Sequence, residues 1–405
     1  MRSSTKRFSA ASCLVALAVV LAACGSGAKK TTPGGTTTTQ PSVPALSVDS
    51  FTTDFSVMAQ LSGLVSAGHG KIGVLLPETT TSARYTAFDA PYLTQAFQKA
   101  GLSSDQYIIT NAQGNAAQQK TQADADITNG ATVLLVDPID SGVGAAIEAA
   151  AKTAGVRVID YDRLTLGGTR DYYVSFNNVK VGELIGQGEV KCIADWKVTK
   201  PNILILDGSP TDNNATLFAQ GYNSVLKPHF DSGEYVKVAE PAGSWEPSVV
   251  QTTFTQQYTA HPNINATVVA NDANGNAVIS QLKTLQIKPK TFPVTGQDAQ
   301  LTAMQNILEG YQCMTVYKPI YLEAQASVAL ALYLRAGQTP PAGLVNGTTK
   351  DTTAKTDVPS VLLTPLSVDT SNMASTVVKD GFVKASDICT GSFKSLCQAA
   401  GIPTS

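Results

Sequence analysis

From residue 71 onward, short apolar runs alternate with longer segments of helical spacing, and few folds accommodate that rhythm. The runs at 71–76, 131–136, 157–161, 202–206, 266–270 and 292–295 read as strands. The segments at 90–100, 118–129, 143–154, 181–193, 248–258, 275–285 and 299–308 read as helices. A further helix, 321–335, is nearly apolar and therefore expected to be buried. The pattern predicts an α/β fold of parallel, doubly wound sheets with helices on both faces. At 405 residues the chain is too long for one ordinary core and suits two lobes.

Each run ends in polar residues: Glu78, Asp137, Asp162-Arg163, Asp207 to Ser209, Asn271-Asp272 and Gln297-Asp298. In open parallel sheets ligands bind beyond the carboxyl ends of the strands, so these groups are expected to converge on one crevice. Any one of them alone fits a helix cap or a turn. The inference rests on the set. Two aromatic residues stand in polar company, Tyr85 beside Arg84 and Trp245 between Ser244 and Glu246. A sugar has apolar C–H faces and a rim of hydroxyls, so its site needs flat rings and fixed donors and acceptors. A loop Trp also serves as a packing anchor, and both readings stay open.

At the N-terminus, Arg2, Lys6 and Arg7 precede an apolar stretch, 13–23, too short to span a bilayer comfortably. Residues 1–23 read as a signal peptide. Leu21-Ala22-Ala23-Cys24 resembles the bacterial lipoprotein cleavage box, which makes Cys24 the expected lipid attachment point. Thr, Pro, Gly and Ser dominate the next segment, which cannot bury enough apolar surface to order itself. We therefore expect anchor and flexible tether over 24–66. Residues 51–69 carry scattered apolar positions and no motif that assigns them a role. Of the six cysteines, Cys192, Cys313, Cys389 and Cys397 remain after the leader and Cys24. An even number in an exported chain suggests disulfides. Cys389 and Cys397 close a short loop, and Cys192 with Cys313 follows by elimination. Zinc would want closer ligand spacings, and His69, His229 and His261 lie far away in sequence. No metal or cofactor is expected. A net charge of −2 with 15% charged residues argues against a broad nucleic-acid surface.

The chain resembles the sugar-binding proteins of type I periplasmic fold, and within them the D-xylose-binding receptors of ABC importers. The resemblance runs from Lys71 to about Lys384. It is carried by Val158-Ile159-Asp160-Tyr161-Asp162-Arg163, Tyr173-Val174-Ser175-Phe176-Asn177-Asn178, Gly208-Ser209-Pro210-Thr211-Asp212-Asn213-Asn214-Ala215, Asn271-Asp272-Ala273, Gly296-Gln297-Asp298-Ala299 and Met314-Thr315-Val316-Tyr317-Lys318-Pro319. It implies a monosaccharide enclosed between lobes of 67–174 with 319–362 and of 175–318 with 363–405. Hinge crossings are expected near 174–177, 317–320 and 362–366. The implied sugar contacts are Arg84, Asp162, Arg163, Asn213 or Asn214, Trp245, Asn271, Asp298 and Lys318. Tyr85 stands where the family usually has Trp, which puts a smaller ring on that face. The resemblance also implies a monomer that delivers D-xylose, or else glucose, galactose or arabinose, to the permease subunits of an importer. The protein would sit outside the cytoplasm, held to the membrane by lipid at Cys24.

No G-x-G-x-x-G follows a strand, and neither G-x-x-x-x-G-K-S/T nor G-x-S-x-G occurs. Asp162 and Asp298 could pair as glycosidase acid and base, but Arg163 and Lys318 would hold them ionised. The segment 272–276 faintly resembles a calcium loop, yet its glycine comes too early, so it reads as a turn and helix start. An enzyme is not expected. Sugar-responsive repressors share the fold but begin with a helix-turn-helix, unlike this leader. A receptor that reports sugar to a membrane sensor is the alternative to one that feeds a permease.

Overall fold

Five of the predicted runs become strands because each packs an apolar row between helical layers. In the computed structural model, which describes residues 45–82 and 84–403, these are β1 (Lys71–Leu76), β3 (Ala131–Val136), β4 (Arg157–Tyr161), β6 (Asn202–Leu206) and β8 (Ala266–Val269). The signal peptide and Cys24 lie outside the described residues. Seven strands escaped the apolar-run reading: β2 (Tyr107–Asn111), β5 (Tyr172–Phe176), β7 (Val236–Ala239), β9 (Thr315–Tyr317), β10 (Gly347–Asp351), β11 (Thr356–Leu363) and β12 (Leu366–Val368). Several are edge or short strands with mixed polarity, such as β10 with its Gly-Thr-Thr-Lys-Asp sequence.

The large sheet runs in the order β10-β11-β5-β4-β3-β1-β2, parallel throughout except for the antiparallel β10 edge. A second parallel sheet has the order β7-β6-β8, and β9 pairs antiparallel with β12. Segment 292–295 is not a strand but a single bridge from Val294 to Thr267. Its Pro293 has no amide to donate, so only its carbonyl joins the ladder, accepting from the Thr267 amide at 3.0 Å. The chain passes from the large sheet toward the smaller ones after β5. It returns after β9 and leaves again between β11 and β12.

The apolar helix Ile320–Arg335 packs under the large sheet with every residue from Glu323 to Arg335 buried. It also explains residues 51–69. Phe51, Phe55, Met58, Leu61 and Leu64 are buried in the same core as that helix. Gln325 Nε2 donates to the Thr52 carbonyl at 2.9 Å, and Arg335 Nη1 to that of Val65 at 3.0 Å. The expected tether to residue 66 is thus corrected: from Leu46 the chain has apolar side chains that this helix can cover.

One long helix was missed, Asn213–Asp231, whose Ala215, Phe218, Tyr222 and Leu226 are buried at helical spacing. It lies close against the helix Asn178–Asp195. A Cβ on Gly182 would stand 2.1 Å from the Phe218 carbonyl oxygen, and one on Gly221 2.2 Å from that of Val179. Cys192–Cys313 and Cys389–Cys397 are both bonded, with Cα separations of 6.0 and 5.8 Å.

Candidate functional site

Strand ends from both sheets meet in one crevice. From the large sheet come Thr81, Ser82, Arg84 and Tyr85 beyond β1, and Asp162 and Arg163 beyond β4. The opposite wall holds Asp212, Asn214 and Phe218 beyond β6, Trp245 beyond β7, and Asn271 beyond β8. Gln297, Asp298 and, beyond β9, Lys318 complete it. Of the ten residues expected from sequence, nine line this gap. Asn213 does not, although it is buried one position before Asn214. Asp207 also lies elsewhere, its carboxyl pushed up to about 7 by burial and by Glu240. Glu78 serves its own loop, its carboxylate accepting from the Thr80, Thr81 and Ser82 amides at 2.6 to 2.8 Å.

Two site carboxylates sit on left-handed backbone, Asp162 at φ 59° and Asp298 at φ 96°. Such positions are sparsely populated by non-glycine residues and persist only where their surroundings fix them. At Asp162 that fixation is visible. Its carbonyl accepts from Tyr173 Oη at 2.9 Å, Ser175 Oγ at 2.8 Å and Asn214 Nδ2 at 3.0 Å. Asn178 Nδ2 ties Tyr173, Ser175 and Asn214 together. The turn is thereby held from both sheets.

Arg84 is buried and held by three carboxylates. It pairs with Asp162 at 2.8 Å, Asp89 at 2.7 Å and Glu323 at 2.8 Å. Burial disfavours its charge, but these three carboxylates outweigh that and hold the guanidinium protonated more firmly than usual. Burial would raise the Asp162 carboxyl, yet Arg84, Lys318 and Arg163 together hold it below its ordinary value. An ionised Asp162 accepts hydrogen bonds and is a poor general acid, in line with the sequence argument against a glycosidase. Burial pushes Glu323 behind Arg84 up to about 8, against the pull of that guanidinium.

The Tyr85 hydroxyl donates to Asp162 Oδ2 at 3.1 Å and accepts from Arg163 Nη2 at 2.9 Å. Its ring lies under both guanidinium groups, 5.3 Å from Arg84 and 5.6 Å from Arg163. Opposite, Trp245 meets Phe218 edge to face at 6.4 Å. Lys318 Nζ pairs with Asp298 Oδ1 at 3.1 Å and lies over the Phe218 ring. Asn271 caps the helix Asp272–Thr284, accepting from the Asn274 amide at 3.0 Å. Cap and site duties coincide there. Thr81, Ser82, Asp212 and Phe218 were not anticipated, whereas Gln297 belongs to the polar strand ends expected at the crevice. Recognising the helix after Asp212 would have put Asn214 and Phe218 on one face, four residues apart.

Two parallel-sheet bodies crossed three times by the chain, with a polar crevice at their strand ends, define the type I periplasmic binding protein fold. The periplasmic binding protein domain matches residues 72–339, and the chain belongs to that family. It is 38% identical over 293 residues to the D-xylose-binding periplasmic protein of Escherichia coli, covering 72% of this chain and 86% of that one. It is 32% identical to a multiple sugar-binding periplasmic receptor of Rhizobium radiobacter, covering 80% and 93%. Among solved structures, an ABC transporter solute-binding protein from Clostridium phytofermentans with bound β-D-glucose is similar at TM-score 0.70. The two share 25% identity, over 78% of this chain and 99% of that one. These relatives are binding proteins, and this chain is one too, not an enzyme.

Proposed function

We propose that the chain is the extracytoplasmic receptor of an ABC importer for a monosaccharide, D-xylose first, with glucose, galactose or arabinose as alternatives. The observation that carries this reading is the convergence of Asp162, Asn271, Asp298 and Trp245 on one gap from two sheets. The carboxylates accept from sugar hydroxyls, Arg84, Arg163 and Lys318 donate, Asn214 and Asn271 do both, and the indole covers an apolar ring face. Tyr85 acts through its hydroxyl as much as its ring. Asn213 contributes indirectly, through the helix start it shares with Asn214. The names of the relatives support a pentose, and the glucose-bound neighbour supports a hexose as the alternative.

The side chains that line the gap, Arg84, Asp162, Asn271, Asp298 and Lys318 among them, are almost wholly withdrawn from solvent. Admission therefore requires the walls to part. The three passages between sheets support a hinge at 174–177, 317–320 and 362–366, joining lobes of 67–174 with 319–362 and 175–318 with 363–405. Ligand contacts to both walls then favour the closed form. Cys24 carries a lipid that keeps the receptor beside its permease.

Titration calorimetry of the purified protein against pentoses and hexoses tests the reading. Heat with D-xylose or another aldose supports it, and no heat with any aldose removes it. Labelled-sugar uptake after gene deletion tests the permease role, since unchanged uptake would leave a sensor as the partner. Substituting Cys24→Ala should release the protein from the membrane fraction, and retention there would rule out the anchor.

A further inference from the structure

We propose that Asp212 is the positioning residue of the site, fixing the Trp245 indole and the Arg163 guanidinium in one arrangement across the crevice. The inference rests on the sugar-binding reading for its functional consequence, though not for its geometry. Asp212 Oδ2 accepts from Trp245 Nε1 at 3.0 Å and pairs with Arg163 Nε at 3.2 Å. Its Oδ1 accepts from the Asn214 amide at 2.8 Å, capping the helix Asn213–Asp231. Both oxygens are thus committed, and the side chain is buried.

From Arg163 the chain of bonds continues to the Tyr85 hydroxyl at 2.9 Å and from there to Asp162 at 3.1 Å. Five side chains are joined in sequence: Trp245, Asp212, Arg163, Tyr85 and Asp162. Asp212 is the only link in that series between a residue beyond β4 and the indole on the opposite wall. An indole has a single polar atom, and dispersion contacts on its faces are weakly directional, so packing alone restrains its rotation in plane less than a bond to that atom does. The bond from Nε1 supplies that constraint. The floor itself is Gly208, where an added Cβ would come within 2.1 Å of the indole carbons Cζ2 and Cη2. The ring is therefore gripped by a backbone below, Phe218 at its side and a carboxylate at its nitrogen.

A plain structural role, the helix cap, must be separated from this one. Asn caps a helix about as well as Asp, so Asp212→Asn keeps the cap with its one amide oxygen while removing the charge that holds Arg163 and turning an NH2 donor toward Trp245 Nε1. Asp212→Ser keeps the cap and leaves no side-chain group at all beside Trp245 Nε1. The chain has two tryptophans, so in a Trp196→Phe background emission reports Trp245 alone. The expected result is emission shifted to longer wavelength and more open to iodide quenching in Asp212→Ser. Affinity for the bound aldose should fall at least tenfold in both variants at a temperature where each is folded. Unchanged emission in Asp212→Ser overturns the inference, even if affinity falls. If the parent binds no aldose, the sugar reading fails, while the emission comparison still decides whether Asp212 positions the indole.

Discussion

The Arg84 guanidinium meets the Asp162 carboxylate at 2.8 Å, with both side chains withdrawn from solvent. Asp89 and Glu323 complete the pairing, and Tyr161 Oη donates to Asp89 at 2.5 Å. Glu323 lies on the first turn of the helix that follows Lys318 by two residues. The site face of Arg84 and the start of a core helix therefore share one buried cation.

Removing that cation leaves three buried acidic groups facing one another. Arg84→Met should lower stability by about 3 to 5 kcal/mol at neutral pH, the usual cost of stranding buried charge. Urea unfolding followed by circular dichroism measures it. A loss under about 1 kcal/mol would mean that the cluster is more open to solvent than its burial indicates.

Affinity should depend on the indole and on the carboxylate opposite. Trp245→Ala and Asp298→Ala are each expected to weaken aldose binding tenfold or more by calorimetry. Gly208→Ala should do the same without touching the sugar, because its methyl group would occupy the place of the Trp245 ring. Near-native affinity in Trp245→Ala and Asp298→Ala would mean that the binding site lies elsewhere.

The central strands were legible because β1, β3, β4 and β6 are apolar runs buried on both faces, which is what a parallel sheet demands. Edge and linking strands were not, since β10 and β7 are half exposed and carry no apolar run. The helix Asn213–Asp231 is hard to read from sequence because it opens on Asn213 and Asn214 and carries Gly221 and Pro228 inside it. With it went Phe218 and the double duty of Asp212. The polar strand ends were read as one set, and the structure divides them. Asp162, Asn271 and Asp298 reach the gap, while Glu78 closes its own loop. Only the path of the chain after each strand decides between those fates.

The two disulfides should contribute unequally. Cys192 and Cys313 are 121 residues apart, and Cys389 and Cys397 are 8 apart. In the chain-entropy model the long loop is worth about 5 kcal/mol and the short one about 2.5 kcal/mol. Replacing each pair by alanine and comparing urea midpoints checks the order. Equal losses would indicate that the denatured chain keeps residues near 192 and 313 together.

Stability should also fall as pH rises from about 5 to 8, and Glu189 gives a way to see why. Its carboxyl is fully buried, with no hydrogen-bond partner for either oxygen among the described residues, and burial pushes it up to about 8. In the unfolded chain the same group titrates near 4.5. Between those values the folded state binds more protons than the unfolded state, so unfolding becomes easier as pH rises. The contribution is fully present below the lower value and is lost by the time pH passes the upper one. Glu189→Gln removes this proton from the balance. Between pH 5 and 8 its stability curve should be flatter than that of the parent by up to one proton, or about 1.4 kcal/mol per pH unit. Glu323 and Asp272, also pushed up to about 8 by burial, leave the variant a residual slope of the same sign. Parallel curves for parent and variant would show that water reaches Glu189 in the folded protein.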